Sequence, residues 1–153
     1  MIAFWIGVFC LPLSLSSYTV RWVGLDQGRY LYGLVQGEAN AIQPGKRMLS
    51  AMSPTIVLDR DGSLLLIVGS RGGPRIITST SQVILNVIDH HMMLSDAVSA
   101  PRIHHQALPD TLQFERNGLQ PAVVDSLKAM GYGVAGIGGV GLINAVMKVK
   151  GGF

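Results

Sequence analysis

The chain has 153 residues, room for one ordinary domain around one core rather than two. Hydrophobic residues make up 48% and charged ones only 14%, a balance that points to a chain buried against something. The net charge of +3 comes without a Lys/Arg run or interleaved aromatics, so a nucleic-acid surface is unsupported, and the single Cys10 excludes an internal disulfide framework and a thiolate metal cage.

Residues 1–29 stand apart from the rest. The first twenty, MIAFWIGVFCLPLSLSSYTV, carry no charged side chain and close on small polar residues around Ser14 to Ser17, like the apolar region of a secretory signal. A signal would open with Lys or Arg, yet the first basic residue is Arg21, on the far side of the apolar run. A misplaced start fits as well as a signal, and a short membrane anchor is a further alternative, so membrane association through residues 1–20 stays open.

From Tyr30 strands alternate with turns. Tyr30–Val35 has the aromatic and branched residues of a strand, and QGEANAIQPGKRM, with Pro44 and Gly45, reads as a loop. Thr55–Leu58 and Leu64–Val68 predict a hairpin turned at Asp61-Gly62. GSRGG then leads to a helix whose apolar face is Ile76, Ile77, Thr80, Val83, Ile84, Val87 and Ile88, with Pro74 at its first position. Ser95 is the expected cap of a short second helix stopped by Pro101. A third helix runs from Pro121 to Met130, with Val123, Val124, Leu127 and Met130 on one side and Gly131 ending it, and Leu142–Val149 is a final strand. The pattern predicts an α+β fold, helices lying on one antiparallel sheet with open edges.

Glycines between a strand and a helix N-terminus can aim several backbone N–H groups at one point of negative charge. A phosphate loop would end in Gly-Lys-Ser/Thr, and this one ends in Gly72, Gly73, Pro74. A carboxylate or an oxyanion remains as the guest, beside the plain alternative of a tight turn.

Three blocks, YGLVQGEANAIQPGKRMLSAMSPTIV, GSRGGPRIITSTSQVILNVID and APRIHHQALPD, resemble in order and spacing the small subunit of gamma-glutamyltransferase, also called glutathione hydrolase. The resemblance covers roughly 30–150 and divides the chain into 1–29 and a small-subunit portion, 30–153. It implies a partial αββα sandwich of the N-terminal nucleophile hydrolase type, truncated at both ends. A threonine freed by autocleavage would attack a gamma-glutamyl amide such as that of glutathione, using its own amine as base. No cofactor is implied. Gly72 and Gly73 match the paired glycines of the oxyanion hole, and Ser50 the first of two serines that hold the substrate's alpha-carboxylate. Ala51 stands where the second serine is often found. A missing hydrogen bond to a charged group costs about 1.5–3 kcal/mol. Arg71 occupies a position often held by a smaller residue.

Nothing in residues 1–29 resembles the Thr-Thr-His stretch of the nucleophile, and Thr19, Thr55, Thr78, Thr80 and Thr111 lack that context. The expectation is therefore a chain inactive alone, whose partners are the absent large subunit and the first part of the small one. The alternative is a non-catalytic remnant or membrane-tethered interaction module. A periplasmic or extracellular location follows only if a genuine signal exists.

Two further patterns carry less. His90-His91 and His104-His105 invite zinc, but adjacent imidazoles rarely converge on one ion without a carboxylate, so no metal is expected. Asp89 and Asp96 would pair only on one continuous helix, which Ser95 as a cap argues against; Met92 and Met93 read as apolar filler.

Overall fold

The structure is a computed structural model that describes residues 41, 43–47 and 50–149. The expected strand Tyr30–Val35 and the apolar segment 1–20 lie outside the described residues.

The hairpin forms as β1 (Thr55–Leu58) and β2 (Leu64–Arg71), antiparallel, with Thr55 opposite Val68. Its turn is fixed locally. Gly62 takes a positive φ of 80° and donates to Asp59 O, while the Asp61 carboxylate accepts from Ser63 N–H and is held below its ordinary pKa by that bond.

β2 runs three residues beyond the predicted Val68, so Gly69, Ser70 and Arg71 are strand, and only Gly72 and Gly73 form the turn into α1 (Arg75–Ile88). Pro74 is the residue before the helix rather than its first. The N–H groups of Arg75 and Ile76 are already taken by the carbonyls of Gly72 (3.2 Å) and Gly73 (3.1 Å), which shifts the start by one residue.

α1 buries Ile76, Ser79, Thr80 and Val83 against β2, with Ile84, Val87 and Ile88 partly covered; Ile77, placed on the apolar face by its spacing, is exposed. α2 is Leu94–Ser99. Met93 precedes it in extended conformation, and Ser95 lies inside the first turn with no capping bond, so the expected cap is corrected by two residues. The core is Val57, Leu66, Val68, Val83, Ala97 and Ile143, the last from β6 (Leu142–Met147), which pairs antiparallel with β2.

A second sheet replaces the single sheet expected. β3 (Ile103–His104) pairs antiparallel with β4 (Leu112–Glu115), and β4 pairs parallel with β5 (Val134–Ile137). α3 (Pro121–Ala129) joins β4 to β5, with Pro121 in its first turn and Gly131 beyond its end at φ 93°. Val124 and Leu127 are half-buried, while Val123 and Met130 are exposed. The two sheets have the strand orders β1-β2-β6 and β3-β4-β5. The chain crosses from one to the other at residues 138–141.

The face of β1-β2-β6 away from α1 is apolar and open, with Ile56, Leu58, Ile67 and Val146 exposed. No helix among the described residues is long and apolar enough to cross a membrane.

Leu66 is fully buried and Ile56 lies on the open face. Leu66→Ala is expected to cost about 2–5 kcal/mol in urea unfolding, and Ile56→Ala well under half of that. Equal losses would mean that the open face is covered in solution.

Candidate functional site

The site is built on backbone. Gly72 has φ 136° and Gly73 φ 60°, both in the region that side chains avoid. Their carbonyls turn toward the first turn of α1, and neither N–H meets an acceptor among the described residues. Two unmatched donors thus sit beside a helix N-terminus, where the macrodipole favours negative charge.

Space around the turn is closed from below. A methyl on Gly72 would lie 3.4 Å from Val140 O and from Gly141 Cα. One on Gly141 would fall 2.6 Å from Ser79 Oγ and 2.7 Å from Ser70 Oγ, closer than real side chains come. The turn therefore rests on the crossover 138–141, backbone against backbone.

That crossover is held at several atoms. Arg75 donates to Gly139 O (3.2 Å) and to Gln113 Oε1 (2.8 Å); Ser79 Oγ donates to Arg75 O and Val140 O; Val140 N–H donates to Glu115 Oε1 (2.8 Å).

The lead-in to β1 reaches the same end of the sheet, because antiparallel pairing sets Thr55 beside Val68. Ser50 is half-buried and its Oγ accepts from Met52 N–H (3.2 Å); the carbonyl of Ala51 accepts from Ser53 Oγ (3.3 Å). A cleft of ≈ 600 Å³ opens here, lined by Pro54, Ile67, Gly69, Arg71, Asn144 and Val146 among others. Arg71 is exposed at its edge. The register brings Ser50 and Ala51 to the glycine end of the sheet, but the described residues show no bond between them and Gly72 or Gly73.

The histidines are separated by role. His104, in β3, is buried against α1. The Gln106 amide nitrogen donates to Leu108 O, so Gln106 Oε1 faces the ring and accepts from Nε2–H (2.9 Å). Nδ1 lies 2.9 Å from the Thr78 hydroxyl oxygen, which also reaches Arg75 O (3.1 Å). Burial lowers the His104 pKa from 6.5, with Arg75 and His105 adding to the effect and the Gln106 bond opposing it. His105 pairs with Asp110 on the surface (2.8 Å), and His90 and His91 are exposed after α1. No group of three or more His, Cys, Asp or Glu that could hold a metal occurs among the described residues. Asp89 ends α1 and Asp96 lies in α2, so the two carboxylates do not share a helix.

The threonines are built into the framework. Thr55 donates to Ser53 O from β1, Thr78 and Thr80 lie on α1, and Thr111 precedes β4.

The gamma-glutamyltranspeptidase family model matches residues 26–153. The chain belongs to the gamma-glutamyltranspeptidase family. It is 53% identical over 103 residues to the glutathione hydrolase proenzyme of Pseudomonas aeruginosa, and 50% identical over 105 residues to that of Escherichia coli. These alignments take 66% and 69% of this chain and 18% of each relative, so the chain spans about a fifth of their length. A crystal structure of a mutant Helicobacter pylori gamma-glutamyltranspeptidase superposes with a TM-score of 0.74 at 51% identity, covering 82% of this chain and 69% of that one. The α+β arrangement with two sheets is thus compatible with a partial sandwich of the kind found in this family.

Sequence reasoning found the glycine turn and missed its support, Glu115, Gln113 and the 138–141 crossover. The glycine-rich GIGGVG was the available signal.

Two outcomes follow. Gly141→Ala is expected to lower the melting temperature by several degrees, whereas Gly69→Ala, with nothing within 4 Å of its added carbon, leaves it nearly unchanged. The depressed His104 pKa makes the unfolded chain bind the extra proton first, so stability is complete above pH 6.5 and falls as the pH drops through the lower folded-state pKa. His104→Gln is expected to flatten the fall in melting temperature between about pH 7.5 and 5; an unchanged slope would assign it to another group.

Proposed function

We propose that this chain supplies the oxyanion-binding part of a gamma-glutamyl hydrolase or transferase acting on glutathione and related amides. The observation that carries the reading is the Gly72–Gly73 turn, two unmatched N–H donors beside a helix N-terminus in a chain of this family. When a hydroxyl attacks the gamma-glutamyl carbonyl, its oxygen becomes an anion. The two N–H groups are fixed beforehand, so they stabilise that charge without reorganising. The attacking threonine, with its amine as base, comes from outside the described residues.

Ser50 is proposed to donate its hydroxyl to the alpha-carboxylate of the glutamyl group. Ala51 offers no second hydroxyl, so binding is weaker by the loss of one charge-assisted bond. A large subunit and the first part of the small one complete the site, and the apolar face of Ile56, Leu58, Ile67 and Val146 is where a further sheet from those parts would pack. The chain alone is then inactive. The compartment that goes with this reading is the periplasm or the cell exterior.

The test is a chimera in which residues 41–149 replace the matching portion of the Pseudomonas aeruginosa glutathione hydrolase proenzyme. The chimera is expected to release p-nitroaniline from gamma-glutamyl-p-nitroanilide, and Ala51→Ser in it to lower KM about tenfold with little change in kcat. A chimera that folds and is processed yet releases nothing would sink the proposal.

A further inference from the structure

The glycine turn owes its position to a residue of the other sheet. We propose that Glu115 is a positioning residue for the oxyanion-binding turn, acting through Val140; the inference rests on the function proposed above.

Glu115 ends β4, and its side chain is 13% exposed. Oε1 accepts from Val140 N–H (2.8 Å) and Arg102 Nη2 (3.0 Å), and Oε2 accepts from Arg102 N–H (2.8 Å). One carboxylate thus satisfies three donors: the backbone and guanidinium of the segment leading into β3, and the backbone of the crossover. Charge-assisted bonds of this kind are short and strong.

Val140 is fully buried, and its peptide is the surface on which Gly72 lies. Glu115 holds the N–H of the peptide that precedes Val140, and Ser79 reaches the carbonyl of the peptide that follows it, the one against Gly72 (3.3 Å), so the two bonds fix the successive peptides that flank Val140. Where Val140 sits decides where Gly72 sits, and with it the direction of the two free N–H groups. Glu115 touches neither the turn nor the cleft, so its effect on chemistry passes through the crossover.

Chemistry at this position admits few substitutes. Glutamine carries one acceptor oxygen and an amide that donates, so a donor would face Val140 N–H or Arg102 N–H. Aspartate keeps the charge for Arg102 but is shorter by one methylene, too short to hold Val140 and Arg102 together. The two changes therefore separate the ion pair from the grip on Val140.

The experiment is amide hydrogen exchange and ¹H–¹⁵N NMR on the whole chain, comparing Glu115→Asp and Glu115→Gln with the parent. Glu115→Asp is expected to lose protection at Val140 about tenfold or more and to shift the Gly72 and Gly73 amide signals, whereas Glu115→Gln, which can keep its oxygen on Val140 N–H, weakens the Arg102 pair with a smaller loss at Val140; in both, Val57 and Leu66 keep their protection. If Val140 and Leu66 lose protection by the same factor, Glu115 serves global stability only and the proposal falls. It falls too if Glu115→Asp leaves the Gly72 and Gly73 signals in place. Should Glu115→Gln fail to fold, Glu115→Asp decides alone, because it retains the charge opposite Arg102.

In an active chimera, Glu115→Asp is expected to lower kcat about tenfold or more with KM within about twofold, the signature of stabilisation made only in the transition state. An inactive parent chimera overturns the proposed function, and the exchange measurement on the chain still decides what Glu115 positions.

Discussion

Gly141 lies so close to Ser70, Arg71 and Ser79 that a single carbon added to it would overlap two hydroxyl oxygens. This close approach of bare backbone to two serine hydroxyls and the Arg71 carbonyl is the constraint from which the rest of the structure follows. Because the crossover 138–141 presses against the end of β2, the chain cannot continue there as a strand with side chains. It turns instead through Gly72 and Gly73 at positive φ, and that turn ends with its carbonyls spent on α1. Among the described residues the N–H groups of that narrow turn meet no acceptor.

Holding two backbones together requires polar grip on both, and the grip comes from charged side chains whose partners are mostly main-chain atoms. Arg75 takes a carbonyl of the crossover and Glu115 an N–H of it. α1 is in turn fastened to the second sheet: Gln82 both donates to Ile103 O (2.8 Å) and accepts from Ile103 N–H (2.9 Å), and Thr78 meets His104. The helix that opens at the glycine turn is therefore clamped over its first half, from Arg75 to Gln82, to the sheet that supplies Glu115. Thr80 Oγ1 and Arg102 Nε are buried in this region without a partner among the described residues. A buried polar framework of this kind is costly to assemble, and it fixes one arrangement of backbone where apolar packing alone would tolerate several.

The first sheet was readable from sequence because it obeys simple periodicity. Leu66 and Val68 point to α1, Asp61-Gly62 makes the turn, and α1 carries apolar residues three and four apart. The second sheet was not, for a physical reason. Ile103–His104, Leu112–Glu115 and Val134–Ile137 are short and spend several of their side chains on hydrogen bonds: His104 on Thr78, Gln113 on Arg75, Glu115 on Arg102 and Val140. Such strands show no alternation to detect. The glycine pair was legible because few chemistries need bare backbone at a strand-to-helix junction, whereas its supports lie 40 to 70 residues away in sequence and become neighbours only through the fold. Ser95 misled because a serine before an apolar residue looks like a cap; Met93 takes the place since the helix begins as soon as the chain leaves the extended segment after His91.

The central claim is that Gly72 and Gly73 form a preorganised cradle for an oxyanion. The most direct measurement is a crystal structure of the chimera bound to a boronic acid analogue of the gamma-glutamyl group, which presents a tetrahedral oxygen where the reaction would create one. The account predicts one boronate oxygen about 2.7–3.1 Å from both N–H nitrogens, with the turn unmoved between free and bound forms. A boronate oxygen held by other donors, or a turn that must rearrange to reach it, would contradict the account.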